Sequence, residues 1–214
     1  MEQIVVKEAT KRLRNRIVLD NVSLTLDQGG IYGFFGSNGS GKTMLFRAIC
    51  GLIRLTAGKI DVFGEKIGVD ASFPKNLGVI IETVGFWGEY TGFKNLKMLA
   101  AIRNKINDDK IKTAISRVGL DPYDRRSFKK YSLGMKQRLA IAQAVMEYPE
   151  LLVLDEPTNA LDEDGVELIR NVILEEQQRG ATVLIASHNK EDIKSLCSRQ
   201  FKMTEGKLEE AEED

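Results

Sequence analysis

The eight residues "GSNGSGKT", Gly36 to Thr43, fit the pattern G-x-x-x-x-G-K-[ST], and each residue type in it has a chemical task. Gly36, Gly39 and Gly41 let the backbone curl until successive N–H groups point inward. With Ser37, Asn38 and Ser40 between them, they form a cradle for phosphate oxygens. Lys42 brings a mobile positive charge to β- and γ-phosphates, and Thr43 offers a hydroxyl to Mg²⁺. A second stretch, "LLVLDEP" from Leu151 to Pro157, is a buried-type strand that ends in two carboxylates. At a strand tip beside a phosphate loop, Asp155 holds Mg²⁺ directly or through water. Glu156 orients and deprotonates an attacking water, a task worth roughly 10² to 10⁴ in rate. Either carboxylate alone could cap a strand end in solvent, but the pair together with the loop points to phosphate hydrolysis.

A third stretch, "YSLGMKQRLAIAQAV" from Tyr131 to Val145, sets a bare serine and a glycine at the start of an apolar helical pattern. A helix start presents unpaired N–H groups and a partial positive charge, so Ser132 and Gly134 stand where an anion can be received. Lys136 follows in the first turn, where a cation opposes the helix dipole but helps near phosphate. An ordinary N-capped helix would explain this segment alone, but not its company.

The elements that position these residues alternate in kind. "IVVKE", "VSLTL" and "GIYGFF" are short strands, with "DQGG" as a turn. The phosphate loop follows the third strand and opens the helical "MLFRAICGLI", and "KIDVFG" and "NLGVIIE" add two strands. From about Thr91 to Tyr148 the strands stop, and three segments carry helical periodicity. Strands return with "ELLVLD" and "ATVLIAS" around a helix from Leu161 to Gly180, and "QFKMTEGKLEEA" closes as a hairpin. The expected fold is an α/β core, of residues 1–84 and 149–214, interrupted by a helical subdomain at 85–148.

The 214 residues suit one such domain, and 43% hydrophobic content supplies a substantial core. Lys+Arg and Asp+Glu both count 31, so the net charge is zero, which argues against a nucleic-acid partner. The basic "KRLRNR" and acidic "EEAEED" are solvated faces or tails. Cys50 and Cys197 lie far apart and make neither a disulfide framework nor a metal clip. No window reaches 18 apolar residues and no signal peptide is evident, so any membrane part belongs to another chain.

Two strings match guanine-nucleotide motifs, "DEDG" at Asp162–Gly165 and "NKED" at Asn189–Asp192. Their spacing leaves room for one helix and one strand, too little for the additional crossover a GTPase needs between them.

The ordered set "GSNGSGKT", "YSLGMKQR", "LLVLDEP", "NALD" and "SH" resembles the ATP-binding subunit of an ABC transporter over nearly the whole chain. The atypical "YSLGMKQR" is similar to the bacitracin-resistance and lantibiotic-immunity exporters. That resemblance implies a P-loop core of ABC ATPase type with an N-terminal antiparallel β part and a helical insert. It implies ATP and Mg²⁺ as ligands and a head-to-tail dimer, taken as two copies of this chain. Ser132, Gly134 and Lys136 of one subunit would then close over the ATP of the other. His188 corresponds to the family's switch histidine, contacting γ-phosphate and water, and "NALD" (Asn159 to Asp162) to a loop crossing the interface. The subunit would sit in the cytoplasm, on the inner face of the membrane through a permease. The implied activity is ATP hydrolysis that drives export of an antimicrobial peptide or drug.

Two positions depart from the family pattern. Glu82 stands where a glutamine is usual, still able to contact Mg²⁺ or its water. Leu13 stands where an aromatic ring stacks on adenine, so Arg14 or Arg16 is expected to stack instead. After Glu82, Phe86, Trp87, Tyr90 and Phe93 crowd a Gly-rich stretch, either filling the seam beside the helices or receiving a helix of the permease. Two other readings remain, a non-transport ABC ATPase acting on ribosomes or chromosomes and a silent nucleotide-binding scaffold. Lys42, Asp155, Glu156 and His188 together argue against the scaffold.

Overall fold

Every residue of strand β7 (Leu151–Asp155) is buried, as a strand covered on both faces must be. It belongs to a six-stranded sheet. In the computed structural model, which describes residues 3–82, 85–188 and 194–211, the other strands are β3 (Ile31–Phe35), β6 (Leu77–Ile80), β8 (Thr182–Ser187), β9 (Arg199–Thr204) and β10 (Lys207–Glu210). Their order is β10-β9-β3-β8-β7-β6. All run parallel except β10, which folds back antiparallel on β9 as the expected hairpin.

Strand alternation sorts the side chains into two cores. Leu151, Val153, Leu184, Ala186, Tyr32 and Phe34 face one side. Leu152, Leu154, Val183, Ile185 and Ile31 face the other. The first side is roofed by α1 (Lys42–Ile49) and by a wholly antiparallel sheet in the order β2-β1-β4-β5. Its strands are β1 (Gln3–Leu13), β2 (Arg16–Asp27), β4 (Ala57–Val62) and β5 (Glu65–Lys66). From Val22 to Asp27, β2 alternates buried and exposed, the pattern of a sheet with one wet face. Phe34 meets Phe46 edge-on and stacks on Phe201, both at 5.2 Å between ring centres, joining β3, α1 and β9.

The second side is covered by α2 (Gly92–Arg103), α3 (Asp108–Arg117), α4 (Leu133–Val145) and α5 (Glu163–Gln178). The first three lie between β6 and β7 in the chain, where the strands were expected to stop. Each of the four is started by a side-chain cap, from Thr91, Asn107, Ser132 and Asp162 in turn, worth about 1 kcal/mol apiece. Their apolar faces share one core with the parallel sheet.

Details differ from expectation in physically readable ways. β6 ends at Ile80, two residues early, because Glu82 turns the chain at φ +61°. The basic run "KRLRNR" is the tip of the β1–β2 hairpin, with Leu13 paired to Arg16. "DEDG" is the cap and first turn of α5, while "NKED" lies outside the described residues. Phe86 packs edge-on against Phe128 at 5.1 Å, and Phe93 also lies against the core, whereas Trp87 is about half exposed.

Candidate active site

The phosphate loop leaves β3 at Phe35 and enters α1 at Lys42. Gly36, Gly39 and Gly41 all hold positive φ (+152°, +78° and +115°), the curl that turns N–H groups inward. A Cβ on Gly36 would stand 2.2 Å from the Met203 carbonyl oxygen, so only glycine fits. The β9–β10 hairpin is thus the loop's support: the Gly206 N–H donates to the Ser40 carbonyl at 2.8 Å. Ser40 is buried, and its hydroxyl has no hydrogen-bond partner among the described residues. Lys42 is also buried and curls back, its Nζ donating to the carbonyls of Gly36 at 2.7 Å and Ser37 at 3.3 Å.

Beside the loop, the Thr43 hydroxyl donates to Oδ2 of Asp155 at 2.6 Å. Burial raises the Asp155 carboxyl above the usual range; the Thr43 bond and Lys42 lower it, and Glu156 and Glu82 raise it further. Thr43 and Asp155 make an all-oxygen pair suited to Mg²⁺, whose other positions would fall to phosphate and water. Glu156 follows at φ +53°. Its carboxylate Oε2 lies 2.9 Å from Nδ1 of His188. The Glu82 carboxylate is held by Arg47 of α1 at 2.8 Å and is largely exposed.

A cleft of about 890 Å³ brings together Asn38 to Thr43, Glu82, Asp155 and Glu156. Arg16 and Val18 of β2 line the same cleft; Arg14 and Leu13 do not. Of the helix-start residues, Leu133 lines the cleft, whereas Ser132, Gly134 and Lys136 do not. Ser132 is exposed and its hydroxyl accepts the Met135 N–H at 3.2 Å. Lys136 lies over the Phe128 ring at 5.5 Å. Gly134 packs against the Ala160 carbonyl, which a Cβ would approach to 3.0 Å.

The profile of the ABC transporter family matches residues 19–159, a span that includes the phosphate loop, the α4 helix start and both carboxylates. The chain belongs to the ABC transporter family. Among ABC ATP-binding proteins it is 51% identical to YybJ of Bacillus subtilis (strain 168), over 98% of this chain and 96% of that one. It is 38% identical to the bacitracin transport ATP-binding protein BcrA of Bacillus licheniformis, over 96% of this chain and 68% of the relative. To the lantibiotic transport ATP-binding protein SrtF of Streptococcus pyogenes it is 32% identical, over 95% and 87%. Its fold matches the dimeric structure of MJ0796, a bacterial ABC transporter cassette, with a TM-score of 0.87 at 20% identity, over 99% and 100% of the two chains. The protein is therefore an ATP-binding subunit of an ABC transporter and an ATPase. Among its described residues no helix is long and apolar enough to cross a membrane.

Two residues of this ABC ATPase's site were assigned no role from the sequence. Gln137, on α4, donates its side-chain amide to the carbonyls of Glu156 at 3.2 Å and Pro157 at 3.1 Å. Arg47 neutralises Glu82 from the last turn of α1. Both depend on contacts between elements far apart in the chain, which residue types and spacing do not encode.

Proposed function

We propose that this ATPase subunit works as one half of a head-to-tail pair of identical chains and drives a separate membrane permease that exports an antimicrobial peptide or drug. The observation that carries the pairing is the placement of Ser132. It sits exposed at the N-terminus of α4, outside the cleft that holds its own phosphate loop, and so is free to cap a nucleotide on a second copy. Gly134 leaves room for close approach, and Lys136 adds positive charge. The cargo class rests on the likeness to BcrA and SrtF, whose names specify bacitracin and lantibiotic transport.

In this reading Lys42 exchanges the carbonyls of Gly36 and Ser37 for β- and γ-phosphate oxygens. The N–H groups from Gly36 to Thr43 hold the remaining phosphate oxygens, and Arg16 stacks on the base. Thr43 and Asp155, with Glu82 nearby, would hold Mg²⁺, which when bound would supply positive charge against that on the phosphates. Glu156 accepts the proton of the attacking water, and His188 holds that carboxylate in line. Residues 85–148 act as the helical subdomain, and the exposed Trp87 within it faces the permease on the inner side of the membrane.

Glu156→Gln with Mg²⁺ and ATP should stop turnover and trap a nucleotide-bound dimer on gel filtration. The wild-type specific activity should fall as the protein is diluted. An undiluted rate in a sample shown to be monomeric would defeat the pairing. For cargo, coexpression with the permease in a bacitracin- or lantibiotic-sensitive strain should raise resistance, and Lys42→Ala should abolish the gain. Unchanged sensitivity would defeat the cargo class.

A further inference from the structure

Glu156 has an uncommon backbone. Its φ of +53° is left-handed and it is not glycine, a conformation that persists only where the surroundings over-determine it. The next residue is Pro157, which has no N–H, so the peptide between them cannot be fixed by a donor of its own. It must be fixed through its carbonyls. The Glu156 N–H donates to the Ala186 carbonyl of β8 at 2.9 Å, and the Glu156 carbonyl receives the Asn159 N–H at 3.3 Å. Both partners lie in the segments around β7 and β8. One side chain reaches in from α4. Gln137 donates to the Glu156 and Pro157 carbonyls together.

The same helix touches the rest of this loop twice more. Gly134 packs on the Ala160 carbonyl, and Arg138 pairs with Asp162 at 3.2 Å. Ala160 is itself left-handed, at φ +64°. Gln137 stands five residues beyond Ser132 on one rigid helix, about 7.5 Å along its axis.

We propose that Gln137 is a positioning residue for hydrolysis, a strut by which α4 sets the backbone of Glu156. Contact made at Ser132 then moves the catalytic carboxylate of the same subunit. This rests on Glu156 being the base, as proposed above. A shift of about 1 Å at a catalytic group costs on the order of a hundredfold in rate, so loss of the strut should be read in turnover rather than in binding.

The test uses the full chain with ATP and Mg²⁺. Gln137→Met keeps the length and removes the donors; Gln137→Glu keeps the shape and sets an acceptor against two carbonyls. Both should lower kcat about ten- to hundredfold, Gln137→Glu more, while KM and equilibrium ATP affinity change less than about twofold. In a Glu156→Gln background, Gln137→Met should cost nothing further in single-turnover rate. Unchanged kcat in both variants overturns the strut, and so does a parallel loss of ATP affinity and thermal stability that accounts for the fall. If Glu156→Gln itself turns over normally, the assignment of the base fails instead, and the two failures are distinguishable.

Discussion

Nδ1 of His188 lies 2.9 Å from Oε2 of Glu156 across 32 residues of chain. Strand pairing makes the contact: Asp155 of β7 stands beside Ala186 of β8, so the first residue past β7 meets the first residue past β8. If the imidazole orients the proposed base rather than holding the nucleotide, His188→Ala should lower kcat by roughly 10² with little change in ATP affinity. Steady-state kinetics beside equilibrium nucleotide binding would check it. Equal losses in both quantities would count against the assignment.

Gly36 admits no side chain. Gly36→Ala would drive a Cβ to 2.2 Å from the Met203 carbonyl oxygen at φ +152°, so the loop and the hairpin beneath it would have to part. The expected cost is about 1–3 kcal/mol, or a fall in Tm of several degrees for a chain of this size, with loss of ATP binding. Calorimetry with and without ATP would separate the two effects.

The base end of the cleft distinguishes two arginines that the sequence left equivalent. Arg16 lines the cleft and Arg14, at the hairpin tip, does not. Arg16→Ala should therefore weaken ATP binding severalfold, the scale of one cation–π contact of about 1 kcal/mol. Arg14→Ala should leave it unchanged. Affinities for ATP and GTP, measured side by side, would also show how far this contact selects the base.

Burial pushes the Cys50 thiol up to about 12. Because the folded value is the higher one, the fold favours the protonated thiol. That contribution is whole below the ordinary thiol value and is lost as pH rises from there through about 12. At pH 8 the thiolate should be scarcer than in the unfolded chain by roughly three orders of magnitude. Maleimide labelling followed by mass spectrometry should leave Cys50 unmodified in buffer and modify it in denaturant. Rapid native labelling would contradict its burial.

Much of the fold was legible because hydrophobic alternation and helical period are local properties. "LLVLD" reads as a strand covered on both faces, and the caps Thr91, Asn107, Ser132 and Asp162 stand just where the helical periods begin. The phosphate loop and the carboxylate pair were legible for the same reason, since their chemistry is written in consecutive residues. What stayed hidden is pairing across the fold. Nothing near Glu82 announces Arg47, and nothing near Glu156 announces Gln137. The support of Gly36 by Met203 joins residues from opposite parts of the chain.

That last contact bears on how the protein is born. The cradle for phosphate is encoded within the first fifth of the chain, yet its floor is the β9–β10 hairpin, with Gly206 donating to Ser40. A ribosome will have made the cradle's own residues long before it makes their support. Nucleotide capture is then among the last abilities a nascent chain acquires, and a copy cut short before the hairpin would carry the full motif while being unable to use it.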